Sequence, residues 1–211
     1  MSLALGPTDA LLVIDMQNDF LPGGALAVKD GDTIIPGINT LAAQFEHVIL
    51  TQDWHPRGHI SFASTHGKQP FIDTVQAPYG VQTLWPDHCL QGSRGAELHA
   101  SLEIPHTELI LHKGFRKDID SYSAFTENDG TTPTGLAGYL RERGLHRLFL
   151  TGLAYDFCVG FSALAAVKLG FEALVVEDLS RAVGLPGTVD AANKAFAALS
   201  VQRISSSALS S

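Results

Sequence analysis

Residues 147–176 read RLFLTGLAYDFCVGFSALAAVKLGFEALVV. An apolar run, Arg147–Leu150, passes through a short Thr-Gly-Leu-Ala stretch into a helical pattern over Asp156–Leu169. Gly170 ends that pattern, and a second apolar run, Ala173–Val176, follows. Neither run alternates polar with apolar residues, which is the pattern of strands covered on both faces. A glycine just past a helix supplies the left-handed residue that closes its last turn. Two strands joined through a helix pair in parallel by a right-handed crossover. This unit alone predicts an α/β domain.

The same alternation extends in both directions. Ala10–Ile14, His47–Leu50, Glu108–Leu111 and Val201–Ile204 are further strand candidates, and Thr33–Glu46, Thr134–Arg143 and Thr188–Leu199 further helices, with Gly144 closing the second of these. Six strands alternating with helices predict a three-layer αβα fold, a doubly wound and mostly parallel sheet. The 211 residues suit a single domain, 1–211, with no internal repeat or linker. The Ser-rich tail from Ser205 is expected to fray.

Composition narrows the function. Apolar residues make up 45% of the chain and charged residues 17%, enough to bury a core and too ordered a balance for disorder. With 22 acidic against 14 basic residues the net charge is −8, and no basic run appears, which excludes a phosphate-backbone partner. No apolar run approaches the ~20 residues of a membrane span. The first apolar run lacks a basic flank and is bracketed by Asp9 and Asp15, so it reads as a strand and not a secretion signal. The two cysteines, Cys89 and Cys158, can pair in principle, but a domain this size needs no staple, and a cytoplasmic location is expected. Whether the chain self-associates into a homo-oligomer is left open.

One interval breaks the alternation. Thr51–His106 is rich in Gly, Pro, aromatics and His, and holds six of the nine histidines: His55, His59, His66, His88, His99 and His106. A loop region this long inside a compact domain is usually functional.

Open α/β sheets bind ligands beyond the carboxyl ends of their strands. The first strand candidate ends in Asp15, the second leads to Asp53, the third to Lys113, and the fourth to Cys158 at the start of a helix. Taken singly, Asp15 and Asp53 read as turn residues, Lys113 as solvated and Cys158 as a small buried hydrophobe. Together they form a nucleophile, a base and a cation, with the thiol placed where a helix dipole stabilises a thiolate. Asp53-Trp-His55 and the later His88 offer one carboxylate and two imidazoles, a set suited to Zn²⁺ first, and to Fe²⁺ or Mn²⁺. Three protein ligands leave positions open for water or substrate. The other reading is of ordinary loop histidines. Cys89, next to His88 in an extended loop, points the opposite way and reads as packing.

These residues lie within longer motifs: Leu12-Val-Ile-Asp-Met-Gln-Asn-Asp-Phe20, Gly23-Gly-Ala-Leu-Ala-Val28, Gln52-Asp-Trp-His-Pro56 with His59-Ile-Ser-Phe62, Trp85-Pro-Asp-His-Cys89, His112-Lys-Gly114, Asp120-Ser-Tyr-Ser-Ala-Phe125 and Gly152-Leu-Ala154 leading to Cys158. In this order, across residues 10 to 180, the chain resembles the nicotinamidase (pyrazinamidase) family of the isochorismatase-like hydrolases. The resemblance implies a catalytic triad of Asp15, Lys113 and Cys158, metal ligands Asp53, His55 and His88, and pocket walls Phe20, Trp85 and Tyr122. It also implies a cis Leu153–Ala154 peptide that turns the Ala154 and Cys158 N–H groups into an oxyanion hole.

The implied reaction hydrolyses nicotinamide to nicotinic acid and ammonia through a cysteine thioester, with the metal holding the pyridine ring, and serves NAD salvage. Pyrazinamide is a chemically plausible second substrate. One departure from the pattern stands out: Tyr155 occupies a position where similar sequences carry Thr, and its ring must either leave the loop or narrow the pocket. The competing readings are a metal-free carbamoyl or amide hydrolase of the same fold, a metal-only hydrolase with a structural Cys158, and a non-catalytic small-molecule binding protein.

Overall fold

The computed structural model describes residues 3–210. Its strands are β1 (Leu3–Ala4), β2 (Asp9–Ile14), β3 (His47–Asp53), β4 (Thr74–Ala77), β5 (Gly80–Thr83), β6 (Leu109–Lys113), β7 (Arg147–Leu153), β8 (Glu172–Arg181), β9 (Gln202–Ile204) and β10 (Leu209–Ser210). The α-helices are α1 (Ile35–Ala42), α2 (Ala63–His66), α3 (Leu136–Glu142), α4 (Gly160–Lys168) and α5 (Thr188–Leu199). Six strands form one sheet in the order β6-β3-β2-β7-β8-β9, and every pairing in it is parallel.

The apolar runs explain the layering. All six residues of β2 are buried. Leu11 and Val13 pack with Ile35, Ile38 and Leu41 of α1 on one face. Leu12 and Ile14 pack on the other with Leu136 and Leu140 of α3, Ala163 and Ala166 of α4, and Phe196 of α5. A strand that feeds two cores has no solvent face, so its sequence does not alternate. The three-layer α/β expectation therefore holds, and all six strand candidates enter the sheet.

The chain builds outward through β2, β3 and β6, then returns to the other side of β2 for β7, β8 and β9. The order reverses between β2 and β7. That switch point leaves a crevice at the carboxyl edge, where ligands bind in open α/β sheets. Gly152, with φ +110°, lets β7 close on β2 there, because a Cβ would run into the Ile14 carbonyl.

Three expectations need correction. β3, β6 and β7 run on through Asp53, Lys113 and Leu153, so two of the supposed post-strand residues are the last residues of strands. Burial of both faces hides this, since polar residues at the strand ends have partners within the site. The long interval contains α2 and an antiparallel hairpin of β4 and β5. The tail is held through Ser210: Ser206 donates from its N–H and hydroxyl to Asp178, and β10 pairs in parallel with β1. Among the described residues, no helix is long and apolar enough to cross a membrane.

Candidate active site

Four of the strand-end groups meet beneath one cavity. Asp53 and Lys113 are register partners at the ends of β3 and β6. The Lys113 ammonium lies 2.8 Å from Asp15 Oδ2, forms a close ion pair with Asp53 Oδ1, and donates to Cys158 Sγ at 3.3 Å and to the Ser121 carbonyl at 3.1 Å. Asp15 accepts a hydrogen bond on Oδ1 from Thr51 at 2.6 Å, while its buried Oδ2 faces the Lys113 ammonium at 2.8 Å. Asp15, Asp53 and Cys158 bring one polar atom each to within 4.8 Å of one another.

Burial decides the protonation states. It pushes the Cys158 thiol well above its usual range, and Lys113 opposes this only in part. Cys158 does sit at a helix start, in the π-helical turn Tyr155–Val159 that runs into α4, but burial works against the thiolate that the helix dipole favours. Burial also raises the Asp15 carboxyl, with Lys113 opposing. For Lys113 burial works the other way, yet the carboxylates of Asp15 and Asp53 hold its ammonium well above the ordinary range. Asp53 is likewise buried, but Lys113 and then His55 keep it well below its usual value. The cluster is thus a buried ammonium beside a carboxyl tuned upward and a thiol awaiting a base.

Next to it, Asp53, His55 and His88 bring three ligand atoms within 4.8 Å of one another. Asp53 Oδ2 lies 3.6 Å from His55 Nε2 and 3.8 Å from His88 Nε2. The His55 Nδ1–H donates to the Gly114 carbonyl at 2.8 Å and the His88 Nδ1–H to the Pro86 carbonyl at 2.7 Å. A carbonyl can only accept, so both neutral rings present an Nε2 lone pair toward Asp53. Three converging donors with their far nitrogens anchored fit a divalent ion. Gly114, at φ +64°, makes room for this: a Cβ there would enter the His55 ring.

His59 stacks 4.2 Å from His55. Its Nδ1 accepts from the Ser61 N–H and its Nε2 donates to the Ile119 carbonyl at 3.2 Å, leaving no lone pair for a metal. Cys89 is buried in the core with the α1 face, as its packing role required.

The cavity is lined by Cys158, Ala154 and the metal-site residues, and is walled by Phe20, Trp85, Tyr122 and Phe157. Trp85 Nε1 and Gln82 Nε2 each donate to the Tyr122 hydroxyl at 3.0 Å. Phe157 stands edge-on to Trp85, with ring centres 5.0 Å apart.

Residues 9–207 match the isochorismatase domain. The chain belongs to the isochorismatase family. Within it, the chain is 54% identical over 198 residues to a nicotinamidase of Acinetobacter baylyi, covering 93% of this chain and 92% of that protein. A solved nicotinamidase/pyrazinamidase of Acinetobacter baumanii superposes with a TM-score of 0.94 at 54% identity, over 96% of this chain and 98% of that one. A pyrazinamidase of Pyrococcus horikoshii solved in complex with zinc superposes with a TM-score of 0.77 at 32% identity, over 94% of this chain and 99% of that one.

The isochorismatase-family loop that carries Cys158 opens with a cis Leu153–Ala154 peptide, as the resemblance implied. Tyr155 leaves the loop on the side away from the cavity and does not narrow it. Its hydroxyl bonds Asn193 at 2.6 Å, and its ring meets Phe196 edge-on. Asp156 clamps the same loop, accepting from the N–H groups of Val183 and Gly184 at 2.9 and 3.0 Å and from the Thr188 hydroxyl.

Several functional residues escaped sequence reasoning. Phe157, Leu26, Val28, Val183 and Asp120 line the cavity. Gln17 holds the Asp53 backbone, accepting its N–H and donating to its carbonyl, both at 2.8 Å. Gln17, Leu26, Val28 and Asp120 lie inside the motifs quoted for the family, which was the available signal. Phe157 and Val183 carried none.

Proposed function

We propose that the chain is an amidohydrolase that converts nicotinamide and water to nicotinic acid and ammonia, acting as one domain over residues 1–211. The observation that carries this reading is a thiol that opens into the same aromatic-walled cavity as a three-ligand metal set, with the Lys113 ammonium and the Asp15 carboxyl buried directly behind it. The similarity to nicotinamidases supplies the substrate. Metal-free relatives of the fold have no use for Asp53, His55 and His88 converging on one point.

Asp15 takes the Cys158 proton as the sulfur attacks the carboxamide carbon. A carboxyl raised by burial is better matched to receiving and returning a proton than an ordinary Asp. Lys113 offsets the negative charge that moves between sulfur and carboxyl. The Ala154 and Cys158 N–H groups face the oxyanion that forms. Asp15 then protonates the departing ammonia, leaving a thioester on Cys158. Water, deprotonated by Asp15, cleaves that bond and regenerates the thiol. A divalent ion, for which we favour zinc, would be held by Asp53, His55 and His88 and would supply a coordination site for the pyridine nitrogen. Phe20, Trp85, Tyr122 and Phe157 flank the ring, and pyrazinamide has the same shape and donor nitrogen. The role is nicotinamide recycling in NAD salvage, in a reducing cytoplasm where the unpaired Cys89 and Cys158 stay reduced.

Cys158→Ala is expected to cut ammonia release from nicotinamide by about 10³-fold or more, with bound metal unchanged. Substantial residual turnover would overturn the cysteine mechanism.

A further inference from the structure

Tyr155 begins the irregular turn that carries Cys158 three residues later, yet its side chain turns away from the cavity. The ring is buried against Phe196, which is itself fully buried. Its hydroxyl sits 2.6 Å from Asn193 Oδ1 on α5 and 3.1 Å from Glu177 Oε1 on β8. Arg203 of β9 donates to the same two oxygens, at 3.0 and 3.3 Å. The phenol therefore ties the nucleophile turn to α5 and β8, through two oxygens that Arg203 of β9 also holds. Asp156, the next residue, is anchored through the segment that leads into α5, so the turn is held from two sides.

We propose that Tyr155 is a positioning residue: its hydroxyl network with Asn193, Glu177 and Arg203 sets where the Cys158 sulfur stands relative to Lys113 and Asp15. None of the four side chains in the network lines the cavity, so its expected effect is on the attack step at Cys158. A side chain that only filled space would need the ring and not the hydroxyl. The inference rests on the amidohydrolase reading for its kinetic readout, but not for its chemical one.

The test compares wild type with Tyr155→Phe, which keeps the ring and removes the hydroxyl. Two rates are measured: ammonia release from nicotinamide, and alkylation of Cys158 by iodoacetamide followed by peptide mass. Both are expected to fall about five-fold, the weight of one neutral hydrogen bond, with KM and bound metal unchanged. Asn193→Ala, at a half-buried helix position, is expected to repeat the pattern more weakly and decides the matter if Tyr155→Phe does not fold. Unchanged kcat and alkylation rate, even with a lower Tm, overturn the proposal, as does a rise in KM at constant kcat. If wild type releases no ammonia from nicotinamide, the substrate assignment fails and the alkylation rates alone judge Tyr155.

Discussion

The two halves of the site are built differently. Of the Asp15–Lys113–Cys158 cluster, Lys113 ends β6 in register with Asp53, Asp15 follows β2 directly, and Cys158 stands in the turn just beyond β7. Two of the three metal-site residues, His55 and His88, come from the irregular interval, and are held by local devices: a carbonyl on each Nδ1, a left-handed glycine, and one bridge between the loops, His55 pairing with Leu90. The ammonium that must stand about 3 Å from both sulfur and carboxylate is the part set on the rigid sheet. Coordination, which tolerates small adjustments of each ligand, is left to anchored loops. Lys113 and Asp53 join the halves, being register partners and an ion pair.

That junction is the place to break the comparison. Lys113→Met removes the cation from between two buried carboxylates and is expected to cost roughly 3–5 kcal/mol of stability together with all measurable ammonia release. A thermal or urea transition close to wild type would show the two halves to be independent. His55→Ala acts on the loop half alone: metal content should fall to near zero by elemental analysis and activity with it, at nearly wild-type Tm. Retained metal would remove His55 from the ligand set.

Gly114→Ala keeps every ligand but crowds the His55 ring and strains a positive φ. Metal affinity should weaken about 10–100-fold in a competition titration with a chelator, and excess metal should restore activity. Tyr122→Phe is the mildest: loss of the hydroxyl that Trp85 and Gln82 share should raise KM by about five-fold with kcat nearly constant. A larger fall in kcat would draw this wall into the chemistry.

The sheet half was legible because strand ends can be read from apolar runs and the groups beyond them stand out as Asp, Lys and Cys. The loop half was legible as composition but not as geometry: donor chemistry grouped His88 with Asp53 and His55, but nothing in the spacing joins His88 to His55, 33 positions earlier, and the family resemblance raised the set above ordinary loop histidines. Phe157 was missed because it lies in an irregular turn, where neither the two-residue nor the 3.6-residue period says which way a side chain faces. The ordered Ser-rich tail escaped for a related reason. Its order comes from hydrogen bonds to Asp178 and from pairing with β1 at the other end of the chain, neither of which is a local property.

By itself the sequence determined the α/β class, the parallel sheet and the inventory of reactive groups, because hydrophobic periodicity and residue chemistry are local. Only the tertiary structure decided which state those groups rest in and which way Tyr155 points. Burial pushes the Cys158 thiol and the Asp15 carboxyl upward, and two carboxylates push the Lys113 ammonium upward against it. Such effects depend on what surrounds a group in space, and four strands and two loops must be in place before those surroundings exist.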